Sequence, residues 1–350
     1  MVLRQTAKRH LKYASIRAGL EGAALPGLQS LLPASGGRGV IFTLHHVRPE
    51  PKESNFAPNA HLSITPEFLE EAIQASLECD LVPAHLHDLP SLLADPADKR
   101  KFVAFTLDDG YRNNAEFAAP VFGRFGVPYT IFVNPGFVER KRTMWWETAA
   151  ALAHKASAFQ FDFGSGPVAV KSATTGQKFA AFERLASFVQ LIDEDEAIAR
   201  IDNAARSHDI DPTAIVDTLV MNEAELRELA TDPLVHFGAH TVTHVNLRRV
   251  TPERLRHEIK GSAAAVERYV GRRPQSFSYP YGVRSAVSDR EVSAAAEAGF
   301  SAAVTTQPGV LGPASIEQPT ALPRVSLNGH YQKKRYVRAL ISGLPFQFLQ

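Results

Sequence analysis

Short runs of apolar residues recur along the chain, each bounded by polar residues or glycine. Val40-Ile41-Phe42-Thr43-Leu44, Phe102-Val103-Ala104-Phe105-Thr106-Leu107 and Tyr129-Thr130-Ile131-Phe132-Val133 are rich in β-branched and aromatic residues. They are too short for helices and read as strands buried on both faces. Between the first two, Thr65-Pro66 opens a helix whose apolar period runs through Phe68, Leu69, Ile73 and Leu77, with Pro66 at a tolerated first-turn position. Another helix is expected over 114–125. Farther on, Val235-His236-Phe237-Gly238, Ser276-Phe277-Ser278-Tyr279, Ala302-Ala303-Val304-Thr305 and Ala321-Leu322-Pro323-Arg324-Val325 continue the strand series. Asn222 with Glu225, and Ser288 with Glu291, form capping boxes that start intervening helices. Strand alternating with helix specifies a parallel α/β sheet, and about seven strands favour a closed or partly closed (β/α) barrel over an open dinucleotide sheet.

Two segments depart from this rhythm. Residues 150–220 contain two helix-like stretches, 179–192 and 194–207, and a break at Gly164-Ser165-Gly166, and read as an insertion into the barrel. Residues 1–36 carry Arg4, Lys8, Arg9, Lys12 and Arg17 around Leu3, Ala7, Leu11 and Ala14 at helical spacing, with Glu21 the first acidic residue. That pattern is a basic amphipathic helix, open to two readings: packing on its own domain, or peripheral attachment to an anionic membrane. The bases are spread too widely for a cleaved secretory signal, and the uncharged stretch 22–37, with Pro26 and Pro33, is too short and polar to span a bilayer. The expected organisation is an N-terminal segment (1–36) before one catalytic domain (37–350). The expected location is cytoplasmic, with or without membrane contact.

Composition narrows the function classes. In 350 residues, 38 Lys+Arg against 37 Asp+Glu leave a net charge of +1, so no overall field recruits nucleic acid. Hydrophobic content of 45% and charged content of 21% fit a globular protein. The single Cys79 permits no intramolecular disulfide. No G-x-G-x-x-G follows the first strand and no G-x-x-x-x-G-K-[ST] occurs, which removes the main support for a nucleotide cofactor. Oligomeric state is not legible.

Chemistry gathers where strands end. Thr106-Leu107-Asp108-Asp109-Gly110 closes the second apolar strand. Adjacent strand residues point to opposite faces, so two carboxylates share one site only if the chain bends, which Gly110 permits. His240-Thr241-Val242-Thr243-His244 follows the Val235 strand; in a helical turn the i, i+4 spacing puts both imidazoles on one face, as a metal chelate requires. No Glu follows His240, so this is not the H-E-x-x-H metalloprotease helix. Phe277-Ser278-Tyr279-Pro280-Tyr281-Gly282 ends a further strand in a rigid aromatic turn. Singly, each cluster has an ordinary structural explanation; three at the ends of successive strands do not.

The order T-x-D-D-G, H-[ST]-x-x-H and Y-P-Y-G resembles the polysaccharide deacetylases that share the NodB homology domain, in the branch like chito-oligosaccharide deacetylases. The likeness runs over 40–325 without the insertion, and includes Leu44-His45-His46-Val47 and Leu322-Pro323-Arg324-Val325. It implies a distorted (β/α) barrel and metal-dependent removal of N-acetyl groups from N-acetylhexosamine glycans, with Zn2+ the leading cofactor and an N-acetylated glycan the partner. By position, Asp108 resembles the general base, and Asp109, His240 and His244 the metal ligands; the Tyr281 amide, beside Pro280, is assigned to the tetrahedral oxyanion.

Ser278 stands where many members carry Arg, and no late L-x-H motif occurs near Arg324. These departures leave the general acid open: the resemblance offers His45, which matches a histidine common in the Y-P-Y-G branch, as the leading candidate, with His330 the weaker choice, and Arg324 either orients Asp108 in place of the missing Arg or forms an ordinary strand-end salt bridge. Trp146, beside Trp145, is a candidate sugar-stacking platform or a core residue. Two rival functions share the ligand set: a non-haem iron oxygenase, and a catalytically silent sugar-binding relative. Hydrolysis needs a carboxylate such as Asp108 beside the ligands; oxygen activation and sugar binding do not.

Overall fold

The computed structural model of this chain describes residues 2–25, 36–50 and 55–347, with the side chains of residues 2–10 and 12 outside the description. Twelve strands form among the described residues: β1 (Gly39–Leu44), β2 (His46–Val47), β3 (Ser63–Ile64), β4 (Leu81–Pro83), β5 (Lys101–Leu107), β6 (Tyr129–Val133), β7 (Ala158–Asp162), β8 (Pro167–Lys171), β9 (Val235–Ala239), β10 (Ser276–Ser278), β11 (Ala302–Val304) and β12 (Val325–Ser326). Seven of them, in the order β11-β10-β9-β6-β5-β1-β12, make one parallel sheet. An eighth, β4, pairs with the first half of β5 on the edge that β6 takes over in the second half. The sheet's two end strands meet through one parallel bridge, Val304 to Leu322, just before β12. The result is a distorted (β/α) barrel with a single thin seam.

Both faces of these strands are apolar because both are covered. Ile41, Ala104, Phe132, Ala302, Val304 and Leu322 fill the lumen, and Leu86, Leu89 and Leu93, from the turn and helix after β4, close its floor. Phe42, Phe105, Ile131, Phe237 and Phe277 face the surrounding helices. At Gly238 of β9 the lumen leaves no room: a Cβ there would lie 2.4 Å from the Phe132 ring and 2.9 Å from Ser276 Oγ.

The helix Pro66–Glu78 starts on the Thr65 cap, whose Oγ1 accepts from Phe68 N at 3.1 Å. Both capping boxes, Asn222/Glu225 and Ser288/Glu291, are formed. The helix expected over 114–125 instead opens with a π turn, Asn114–Ala118, and becomes α only at Ala119–Phe125. Pro120 brings no N–H to an α ladder there, and the Asn114 side chain is drawn away to the His45 carbonyl at 2.7 Å. In the insertion, helices Thr175–Leu191 and Glu194–Arg206 lie where expected. The glycine break, however, is the turn of an antiparallel hairpin, β7–β8, in which Asp162 Oδ1 accepts from Gly164 N and Gly166 N.

The N-terminal helix spans Val2–Ala23. Its C-terminal part packs on its own domain: Leu20 against Tyr331 and Tyr336, Ala23 against Ala339 and Leu344. Glu21 accepts from Arg335 at 2.6 and 2.9 Å and from Lys333 at 3.3 Å. Leu11 and Ile16 are exposed. The side chains of Arg4, Lys8, Arg9 and Lys12, and the stretch through Pro26 and Pro33, lie outside the described residues. No helix among the described residues is long and apolar enough to cross a membrane.

Two outcomes follow from this packing. Gly238→Ala should lower the unfolding free energy by about 1–3 kcal/mol, read from urea denaturation, because the added methyl overpacks a closed lumen. The Glu21 carboxyl is held down at about 2 by hydrogen bonds from Arg335 and Tyr336, with Lys333 helping. Its contribution to helix docking is therefore complete above the ordinary carboxylate range and lost as pH falls towards 2. Limited proteolysis of the N-terminal helix should accelerate from pH 6 to pH 3 in the native chain, and Glu21→Gln should be fast at both.

Candidate active site

The two carboxylates meet at the end of β5. Asp108 N still donates to Leu44 O at 3.0 Å, continuing the ladder. The next two residues turn left-handed, Asp109 at φ 73° and Gly110 at φ 67°. The bend expected at Gly110 thus begins one residue earlier, and it folds both acids over the strand end instead of onto opposite faces.

The histidine segment differs from the helical turn that its spacing suggests. Residues 240–244 form an irregular loop with Thr241 at φ 58° and His244 at φ 54°. Its amides are captured by side chains instead of by carbonyls four residues back. Glu258 Oε2 accepts from Val242 N and Thr243 N, both at 2.8 Å, and Oε1 accepts from Thr243 Oγ1 at 2.6 Å. Asn134 Nδ2 donates to His240 O and Thr241 O at 2.9 and 2.8 Å. The loop still brings the two rings to 5.0 Å, 72° apart. Their Nε2 atoms lie 3.6 Å (His240) and 3.4 Å (His244) from Asp109 Oδ1.

This arrangement fits a cation. His240 Nδ1 donates to Ser278 O at 2.7 Å, which fixes the tautomer and turns the Nε2 lone pair toward Asp109. Asp109 Oδ1 is buried and has no hydrogen-bond partner. Burial and the adjacent Asp108 push the Asp109 carboxyl well above the usual range, while burial pushes both imidazoles down. Acceptors facing acceptors in a dry site shed charge unless a positive ion stands between them. One carboxylate oxygen and two neutral imidazole nitrogens, all within 4.8 Å of one another, suit Zn2+ or a related divalent ion.

Beside this set Asp108 is locked by Arg324. Both guanidinium ends donate to its two oxygens at 2.7 Å, and the remaining donors go to Thr305 O, Thr106 Oγ1 and Ser278 Oγ. The Arg324 side chain is fully buried. Burial alone would raise the Asp108 pKa, but the charge and hydrogen bonds of Arg324 outweigh it and hold the group below the usual carboxylate range. Ser278 keeps a small hydroxyl beneath the fork, leaving space for a guanidinium that arrives from another strand.

Tyr281 sits at φ 63° after the buried Pro280, and among the described residues its backbone N–H meets no protein acceptor. Its hydroxyl donates to Glu194 Oε1 at 2.6 Å and accepts from Trp145 Nε1 at 3.1 Å. Trp146 is enclosed, not presented: its indole N–H donates to Tyr111 OH, and its ring lies 4.9 Å from that of His244. His45 couples electrostatically to Asp108 and Arg324, and burial, with Arg324, pulls its pKa down to about 3 against the opposing pull of Asp108. His330 instead packs on Tyr13 of the N-terminal helix at 4.5 Å.

Sequence reasoning did not single out Asn134, Glu258, Tyr111 or Glu194. Asn134 had a signal, an Asn-Pro cap directly after a strand; Glu258 and Glu194 lie in helices and look like surface acids until the loops fold onto them.

Residues 195–303, which include both histidines and the Tyr279-Pro280-Tyr281 turn, match the family model described as polysaccharide deacetylase. No curated protein matches the chain in sequence. Among solved structures the fold is similar to the deacetylase PplD of Streptococcus pyogenes in complex with acetate, with a TM-score of 0.54 and 16% identity over 83% of this chain and 93% of that one. It is also similar to IcaB from Ammonifex degensii (0.54, 15%, covering 87% and 98%) and to a polysaccharide deacetylase from Bacillus cereus (0.52, 14%, covering 86% and 68%). The sequence match to the polysaccharide deacetylase model thus spans the histidine loop and the aromatic turn, and the barrel is shared with these structures.

Proposed function

We propose that this enzyme hydrolyses the acetamide of N-acetylhexosamine units in an oligo- or polysaccharide, with a divalent cation, Zn2+ by its donor set, held by Asp109, His240 and His244. The observation that carries the reading is the unpartnered Asp109 Oδ1 facing two imidazole nitrogens, with a second carboxylate locked next to it. When bound, the cation supplies the Lewis acidity that polarises an amide carbonyl and makes water easier to deprotonate.

Each remaining role falls to a residue of this chain. Asp108, ionised at working pH and fixed by Arg324, accepts the proton of the attacking water. The pairing keeps Asp108 a weak base, so it suits a water already made acidic. The free N–H of Tyr281, aimed by Pro280, is available to the developing oxyanion. His45, neutral at rest, relays to the leaving amine the proton that Asp108 took from the water, which returns Asp108 to its ionised form. Trp146 walls the site and excludes water. A carboxylate fixed beside the ligand set supports hydrolysis over oxygen activation, which has no use for it.

Acetate release from a panel of N-acetylated glycans, measured with zinc-loaded protein, tests the reading. Asp108→Asn should retain zinc while kcat drops by about 10²–10⁴-fold, the scale of general base catalysis, whereas His240→Ala should lose zinc itself. Full acetate release by Asp108→Asn, or an activity indifferent to chelation, refutes the mechanism. Arg324→Met should cost about 3–5 kcal/mol in urea unfolding because it strands a buried carboxylate, and Arg324→Lys should recover part of the stability but less of the kcat.

A further inference from the structure

The insertion reaches the rim of the active site through the first turn of one helix. In Glu194–Arg206 the cap is Asp193, whose carboxylate accepts from Asp195 N and Glu196 N, so the helix start is satisfied without Glu194. An acid in a first turn ordinarily stands in solvent and faces the helix dipole. Glu194 is instead 3% exposed. Burying a carboxylate is costly unless donors meet it, and the donors here come from outside the helix. Tyr281 OH donates to Oε1 at 2.6 Å and Asn246 N to Oε2 at 2.9 Å. Burial pushes the Glu194 carboxyl up, and these two donors oppose the rise.

Both contacts land on loops that build the site. Asn246 stands two residues after His244, and the Tyr281 ring lies 5.6 Å from the His244 ring. The Tyr281 turn is also gripped elsewhere: Trp145 Nε1 donates to its hydroxyl at 3.1 Å and Thr306 Oγ1 to its carbonyl at 2.6 Å. Asp195, the next residue of the helix, serves the other side of the histidine loop. It accepts from Arg142 and Arg254, both at 2.7 Å. Arg254 in turn donates to Thr243 Oγ1 at 3.2 Å and to Glu258 Oε1 at 3.3 Å, the carboxylate that captures the Val242 and Thr243 amides. One helical turn of the insertion therefore fastens the histidine loop before and after His244. Within that turn, Glu194 is the residue that also holds Tyr281.

We propose that Glu194 is a positioning residue of the site: bonded to Tyr281 OH and Asn246 N at once, it fixes the Tyr281 turn relative to the histidine loop, so that the insertion sets where the Tyr281 amide stands. This inference rests on the proposed deacetylase function and gives the insertion a part in it. Tyr281 is left-handed at φ 63°, a conformation that a residue with a Cβ keeps only under constraint. With its hydroxyl anchored, the ring cannot swing away and the turn cannot relax without giving up the bond to Glu194. Glu194 acts on the reaction through Tyr281, which carries the N–H offered to the oxyanion.

Zinc-loaded protein, with the glycan that the native chain deacetylates fastest, provides the test. Glu194→Gln keeps the side chain's size but turns an amide toward one of the two donors, and Tyr281→Phe deletes the bond from its other end. Each should lower kcat by about 10–100-fold with KM within about twofold and zinc content unchanged, the pattern of a contact made in the transition state. A purely structural role would lower stability without that split. Combined, the two substitutions should cost little more than either alone, because they break the same bond. Hydrogen exchange should quicken over 241–246 and 279–283 in both variants and stay native in β5 and β6. Native kcat in Glu194→Gln, losses that multiply in the double variant, or unchanged exchange in both loops overturns the proposal. Should Glu194→Gln fail to fold, Tyr281→Phe alone decides by the same kcat, KM and exchange outcomes. A native chain silent on every glycan strikes the deacetylase function instead, and the exchange comparison still decides whether Glu194 holds the two loops.

Discussion

Two acids side by side in a dry strand end cannot both stay ionised unless each has its own counter-charge. This constraint organises the site. Asp108 takes Arg324, a cation built into the chain and buried with it; Asp109 is left facing two lone pairs and has no protein cation to meet. The asymmetry separates their chemistry. Asp108, whose counter-charge is permanent, stays ionised, and Asp109, whose counter-charge is missing, is left as an open acceptor that suits a cation. Exchanging the partners would leave Asp108 with no anchor and the Asp109 pocket already neutralised.

The same logic explains why an arginine on a distant strand serves here. The guanidinium of Arg324 is forked, and every donor has an acceptor: two carboxylate oxygens, two hydroxyls and a carbonyl. Burying that charge is tolerable only with the whole set satisfied, and Ser278 supplies one acceptor and, being small, the room. The seam of the barrel contributes too, because Arg324 sits between the Leu322 bridge to β11 and the pairing of β12 with β1. Closing the barrel and seating the Asp108–Arg324 pair are one event.

Much of this was legible in the sequence, for reasons that differ by residue. Buried parallel strands announce themselves as unbroken apolar runs, so β1, β5 and β6 and the helical frame could be read directly. The β7–β8 hairpin was missed although Phe159 and Phe161 alternate with polar or small neighbours, because the glycines between the strands read as a break and not as a turn. The candidate ligands could be picked out as residue types at strand ends, but the conformation that brings them together could not. The spacing of His240 and His244 suggests a helical turn, whereas the structure converges the rings through a loop whose amides Glu258 captures from a separate helix. Local spacing carries no record of such long-range capture. Glu194 was hidden in the same way: it begins a helix of the insertion, yet binds Tyr281 OH and Asn246 N. The insertion is thereby part of the site's wall.

Backbone strain shows how firmly the site is held. Seven non-glycine residues among those described have positive φ, and four of them, Asp109, Thr241, His244 and Tyr281, are in or beside the ligand set. For a β-branched residue such as Thr241 this conformation is costly, and each left-handed residue carries strain on the order of 1–2 kcal/mol. The strain persists because neighbouring groups over-determine it: Asn134 grips the carbonyls of His240 and Thr241, Thr241 Oγ1 accepts from His244 N, and Thr306 Oγ1 donates to Tyr281 O. Every one of these supports approaches from a strand end or a loop on the same rim of the barrel. A site assembled this way cannot relax toward ordinary torsions without breaking several bonds at once, so the Asp109, His240 and His244 acceptors and the Tyr281 amide are held in place before anything binds. The barrel matters to the chemistry because it provides enough rigid strand ends in one ring to hold that many unfavourable turns in place.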